Sequence, residues 1–99
     1  MSDRSRSAAA LTIMMTDVVG STALRRDRGD LDADDILALL AAIVHEQVTA
    51  FGGQVRKSMG DGFLISFPST VAAVRAAAAI QAALLEHNIA DPQRAVEIR

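Results

Sequence analysis

Gly60-Asp61-Gly62 lies between two short runs, Gln54 to Ser58 and Phe63 to Phe67, and constrains the chain more than any other feature. Two strand-like runs joined by so short a glycine-flanked link make a hairpin, because such a turn needs a residue that accepts positive φ. The rest of the chain has to supply what covers that hairpin. Leu11 to Thr16 is a third run, apolar, flanked by threonines and broken by Gly20 and Ser21, and it reads as a central strand.

Between these strands, Ile36, Leu39, Leu40, Ile43, Val44, Val48 and Phe51 recur at helical spacing. This is a long amphipathic helix. Asp32, Asp34 and Asp35 suit its positive N-terminus, and Gly52-Gly53 ends it. Arg25 to Asp35 ahead of it mixes both charge signs, so Arg25, Arg26 and Arg28 read as a solvated loop balanced by nearby aspartates. After Pro68, Ser69 is placed as an N-cap, and an Ala-rich helix runs to about His87. Ala95 to Arg99 begins a further strand. Residues 1–10 read as a polar leader, and residues 11–99 as the folded part.

With 51% hydrophobic but only 3% aromatic residues, the core is expected to be built of Ala, Val, Leu, Ile and Met, with Met14, Met15 and Met59 as filler. A single domain of 99 residues has a thin core and only marginal stability on its own. The absence of cysteine excludes disulfides and thiolate metal sites and fits a reducing, cytoplasmic setting. A formal net charge of -2 argues against a general nucleic-acid binder. No stretch reaches the roughly 18 uninterrupted apolar residues of a membrane span. His45 and His87 have no second His or Cys at ligand spacing and read as surface residues. Asp30, Asp32 and Asp34 alternate as in a calcium loop, but Asp35 stands where that loop requires Gly and Ala41 where it requires Glu.

The order strand, helix, strand, strand, helix, strand predicts an α+β, ferredoxin-like split βαβ fold, an antiparallel sheet with helices on one face. The first strand then lies beside the third, and a right-handed crossover brings its end to the same sheet edge as the hairpin turn. Asp17 and Asp61 converge at that edge. Alone, an Asp after a strand is as readily a cap or turn former; two of them meeting at one edge are what a divalent metal on a nucleoside triphosphate needs.

Asp17-Val18-Val19-Gly20-Ser21-Thr22, the helix ending in Phe51-Gly52-Gly53, Lys57-Ser58-Met59-Gly60-Asp61-Gly62-Phe63 and the Ala-rich helix occur in an order that resembles the class III nucleotidyl cyclase catalytic domain, the adenylate and guanylate cyclases. The resemblance covers Thr12 to Arg99 and implies the N-terminal half of that domain. It implies that Asp17 and Asp61 bind two ions, Mg²⁺ or Mn²⁺, with the Val18 carbonyl as a further ligand, and that Val19, Gly20, Ser21 and Thr22 amides receive the β- and γ-phosphates of ATP. Lys57 matches the purine-reading position of adenylate cyclases, and its ammonium can donate to adenine N1 but not to the protonated N1 of guanine. The family's sites lie between two protomers, so the resemblance implies a homodimer in which Asp17 and Asp61 face the partner's Lys57.

The reaction implied is conversion of ATP to 3′,5′-cyclic AMP and pyrophosphate, used in signal transduction. The family's second purine contact and its transition-state Asn and Arg have no counterpart up to Arg99, and each such group is worth on the order of 10² to 10³ in rate. The 99-residue chain by itself is therefore expected to be inactive. The alternative is a degenerate cyclase-homology module that binds nucleotide or a protein without turnover. A diguanylate cyclase shares the two-metal logic, but its Gly-Gly-acid-acid-Phe hairpin is absent.

Overall fold

Three antiparallel strands form the sheet: β1 (Thr12–Thr16), β2 (Gln54–Met59) and β3 (Gly62–Phe67), in the order β1-β3-β2. The structure, a computed structural model, describes residues 11–99. The leader assigned to residues 1–10 lies outside the described residues. Three helices complete the fold: α1 (Ser21–Arg28), α2 (Asp30–Ala50) and α3 (Thr70–Ala90), followed by a single turn of 3-10 helix at Pro92–Arg94. The first strand lies beside the third, as the split βαβ order predicts.

α2 buries Ala33, Ile36, Leu40, Val44 and Val48, one residue per turn, while α3 buries Ala73, Ala76, Ile80 and Leu84. Both rows meet Phe63, Ile65 and Phe67 of the central strand, because alternate residues of a strand share one face. α3 starts where the sequence places it: Ser69 is extended, and its Oγ accepts from the Ala72 amide at 3.1 Å. Of the strand expected over Ala95 to Arg99, the structure forms only an isolated Val18–Ile98 bridge, with Asp17 and Arg99 exchanging backbone hydrogen bonds of 2.7 and 2.9 Å and Val19 donating to Glu97 at 2.9 Å.

Two expectations are corrected. The charged stretch from Arg25 to Asp35 is helix rather than loop, interrupted only at Gly29, whose φ of 81° ends α1. Ion pairs hold the two pieces: Arg28 to Asp32 at 3.3 Å, and Arg25 to Asp34 at 2.9 Å. Alternating charge signs at helical spacing support a helix as readily as a loop. The methionines are the second case. Met14 packs against the core, but Met15 and Met59 are exposed, and the interior is filled instead by Phe63 and Phe67. Met15 faces outward because Met14 and Thr16 take the inward positions of β1.

Candidate functional site

The end of β1 and the β2–β3 turn meet at one sheet edge. Thr16 pairs with Phe63, Met59 pairs with Gly62, and Gly60 and Asp61 alone close the turn. Gly60 has a φ of 61°, and the described residues hold no positive φ other than at glycine, so the turn takes its left-handed residue first. At Gly62 the end of β1 leaves no room for a side chain. A Cβ placed there would lie 1.9 Å from the Thr16 carbonyl oxygen and 3.4 Å from the Cα of Asp17. The Phe63 amide also donates to Thr16 Oγ1 at 3.1 Å, tying the turn to the strand end.

Asp17 is exposed, and because its neighbour Val18 is buried in the core, Asp17 points to the side of the sheet that the helices leave uncovered. Asp61, in the turn, is partly exposed. Both backbone groups of Asp17 bond to Arg99, so those of Val18 point the other way, toward the hairpin side. Among the described residues the Val18 carbonyl accepts no backbone hydrogen bond outside the regular elements. Oxygen donors at this edge thus comprise two carboxylates and one free carbonyl. No group of three or more His, Cys, Asp or Glu side chains gathers anywhere among the described residues.

Two cations attend these carboxylates. Arg99 Nη2 stands 3.7 Å from Asp17 Oδ2, an exposed pair of little energetic weight. Arg25 is held above its ordinary pKa chiefly by its hydrogen bond to Asp34, with the charges of Asp34, Asp30 and Asp61 adding to the effect. Neither arginine was marked for this edge by any motif. Arg25 reaches it because α1 starts directly after the Asp17 loop.

α1 begins at Ser21 behind Gly20, whose φ is 71° and which offers no side-chain cap. Of the four amides read as a phosphate cradle, that of Val19 already donates to Glu97, which leaves Gly20, Ser21 and Thr22. Lys57 is exposed on β2 and pairs with Leu64, which pairs in turn with Met15. The three form a row across the uncovered face, the face that also carries Asp17. A bulge between Val55 and Lys57 sets this register; without it Arg56 would stand opposite Leu64 and Lys57 would turn toward the helices. Arg56 instead donates from Nε to Ser66 Oγ at 2.7 Å, satisfying a buried hydroxyl.

No family model and no curated protein matches the chain. Among solved structures, adenylate cyclases of Trypanosoma brucei in their monomeric state share 31% identity with it. One covers 84% of this chain and 37% of its own at a TM-score of 0.72. A second has the same coverage and a TM-score of 0.74. A bacterial light-regulated adenylyl cyclase is 19% identical and covers 93% of this chain and 30% of its own, with a TM-score of 0.79, a likeness of fold. The chain thus spans about a third of the length of the solved chains it matches, 30% to 37%. Its three-stranded antiparallel sheet and three helices define a cyclase-homology domain. More narrowly, the likeness is consistent with a class III nucleotidyl cyclase half-domain.

Proposed function

We propose that this half-domain supplies the triphosphate-binding edge of an adenylate cyclase, with Asp17, Asp61 and the Val18 carbonyl as metal ligands and ATP as the nucleotide. The observation that carries the reading is the meeting of β1's end with the β2–β3 turn, which brings the backbones of Asp17 and Asp61 together. The donor set fits hard cations: Mg²⁺ keeps several waters and takes one or two carboxylates plus phosphate oxygens, so two carboxylates and a carbonyl suffice. When bound, Mg²⁺ or Mn²⁺ would acidify the ribose 3′-hydroxyl that attacks the α-phosphate and neutralise the departing pyrophosphate. The amides of Gly20, Ser21 and Thr22 at the uncapped start of α1 would orient the β- and γ-phosphates. Lys57 would read adenine at the site of a second protomer, which makes the active unit a homodimer. No helix of the described residues is long and apolar enough to cross a membrane, and we place the protein in the cytoplasm.

Titration of the 99-residue chain with Mn²⁺-ATP tests the reading. Weak saturable binding is expected, lost on Asp17→Ala, with no cyclic AMP formed. If neither metal nor nucleotide binds, the domain is a degenerate interaction module. Robust turnover by the pure chain would show that the transition-state groups are not supplied from elsewhere.

Base selection is tested in a protein carrying the complete domain. Lys57→Glu should lower the ratio of kcat/KM for ATP over GTP by roughly 10-fold, because a carboxylate accepts from guanine N1–H but repels the N1 lone pair of adenine. Metal dependence should not change. An unaltered ratio in a folded dimer would make Lys57 a sheet-edge charge only.

A further inference from the structure

The outer face of α3 carries an apolar stripe that none of the described residues covers. Val71, Val74, Leu85 and Ile89 are 60%, 63%, 62% and 72% exposed, and the exposed Ala78 and Ala82 lie between them. With 3.6 residues per turn, these six positions fall on one narrow strip directly opposite the buried row of Ala73, Ala76, Ile80 and Leu84. A surface helix normally shows polar residues there. Spacings of three and four residues along the strip are those of a helix-pairing seam.

The order of residues along the strip is symmetric about its middle. An antiparallel pairing of two such helices, centred near Ile80, sets Val71 against the partner's Ile89, Val74 against the partner's Leu85, and Ala78 against the partner's Ala82. Bulky residues meet at the ends, and small ones meet in the centre, where two helices cross most closely. Charge chooses the direction. Arg75 and Glu86 lie on the same flank of the strip, and the antiparallel pairing places each across from its opposite in the other copy. A parallel two-fold pairing would put this flank of the two copies on opposite sides of the seam, and the Arg75 to Glu86 attraction would be lost. A two-fold contact needs one patch that complements itself, and this strip does.

We propose that α3 is a self-association surface whose occupant is the α3 of a second copy of this chain, packed antiparallel. The contact is separate from the proposed nucleotide site, since α3 lies on the helical layer while Asp17 and Lys57 lie on the uncovered face of the sheet. A 21-residue helix is about 30 Å long. A single seam of that length buries less than a standard interface of about 1,600 Å². The association is accordingly weak, with a midpoint in the micromolar range.

Sedimentation velocity across a concentration series, from about 1 to 300 µM, tests this. The wild-type chain should shift from monomer to dimer. Leu85→Glu, at an exposed position that leaves the fold intact by circular dichroism, should weaken association at least about 10-fold, any residual dimer being the one formed through the nucleotide site. Arg75→Glu and Glu86→Arg should each weaken the dimer about 10-fold or more by setting like charges together, and the double variant should return it to within about 3-fold of wild type. Mn²⁺-ATP binding should be the same in all four variants, so its loss or retention reports on the nucleotide reading alone. A wild-type chain that stays monomeric, a wild-type affinity retained by Leu85→Glu, or a double variant no better than either single one would overturn the proposal.

Discussion

Gly62→Ala is expected to cost on the order of 3 kcal/mol or more and to lower the melting temperature by at least about 10 °C. The added Cβ would lie 1.9 Å from the Thr16 carbonyl oxygen and 3.0 Å from its carbon. Both are backbone atoms of the paired strand, which cannot yield without breaking the Thr16–Phe63 pairing and the Phe63 hydrogen bond to Thr16 Oγ1. Overpacking costs typically about 1 to 3 kcal/mol where side chains can adjust, and here none stands in the way to adjust. A domain of this size is stable by only about 5 to 15 kcal/mol in all. Gly60 is the control. It has open space around its Cβ position and needs only a positive φ, so Gly60→Asn should be nearly neutral. Thermal melts of the two variants decide the matter: a Gly62→Ala domain melting within a few degrees of wild type would show that the strands can separate at this point. Separation there would also part Asp17 from Asp61.

The second large effect is on catalysis. In a protein carrying the complete cyclase domain, Asp17→Ala or Asp61→Ala should each lower kcat/KM by at least about 10² to 10³, since each would remove a ligand of the ions that offset the developing charge. The double variant should be little worse than either single one, because groups that serve one metal cluster act as a unit. Stability should hardly move. Among the described residues Asp17 makes one exposed ion pair, at 3.7 Å, worth between 0 and about 1 kcal/mol, and Asp61 is partly exposed in a turn. Rates measured against Mn²⁺ concentration, alongside a melting curve, separate lost chemistry from lost fold. Activity within a few-fold of wild type for either variant would remove that aspartate from the site.

Much of this architecture was readable from residues alone, where the signal was local. Glycines around Asp61 mark the hairpin, apolar spacing from Ile36 to Val48 marks α2, and Ser69 marks the start of α3. Each depends on the conformational preference of a few neighbouring residues, and strand order then follows from the handedness of the crossover. That was enough to anticipate that Asp17 and Asp61 end at one sheet edge.

What the residues alone left undetermined depends on contacts distant in sequence. Gly62 looks like a turn glycine, but its need for a missing Cβ comes from Thr16, across the sheet. The polar run Gln54 to Ser58 has no apolar alternation to set its register, so only pairing with β3 reveals the bulge that turns Lys57 to the uncovered face. The Val19 amide, one of the four expected to cradle phosphate, is engaged by Glu97, and Met15 is placed outside by the inward positions of its neighbours. Sequence thus determined the elements and their order through short-range backbone preferences. Tertiary structure decided which face each functional side chain takes and which backbone groups stay free, because register and hydrogen-bond pairing are settled only when strands distant in the chain come together.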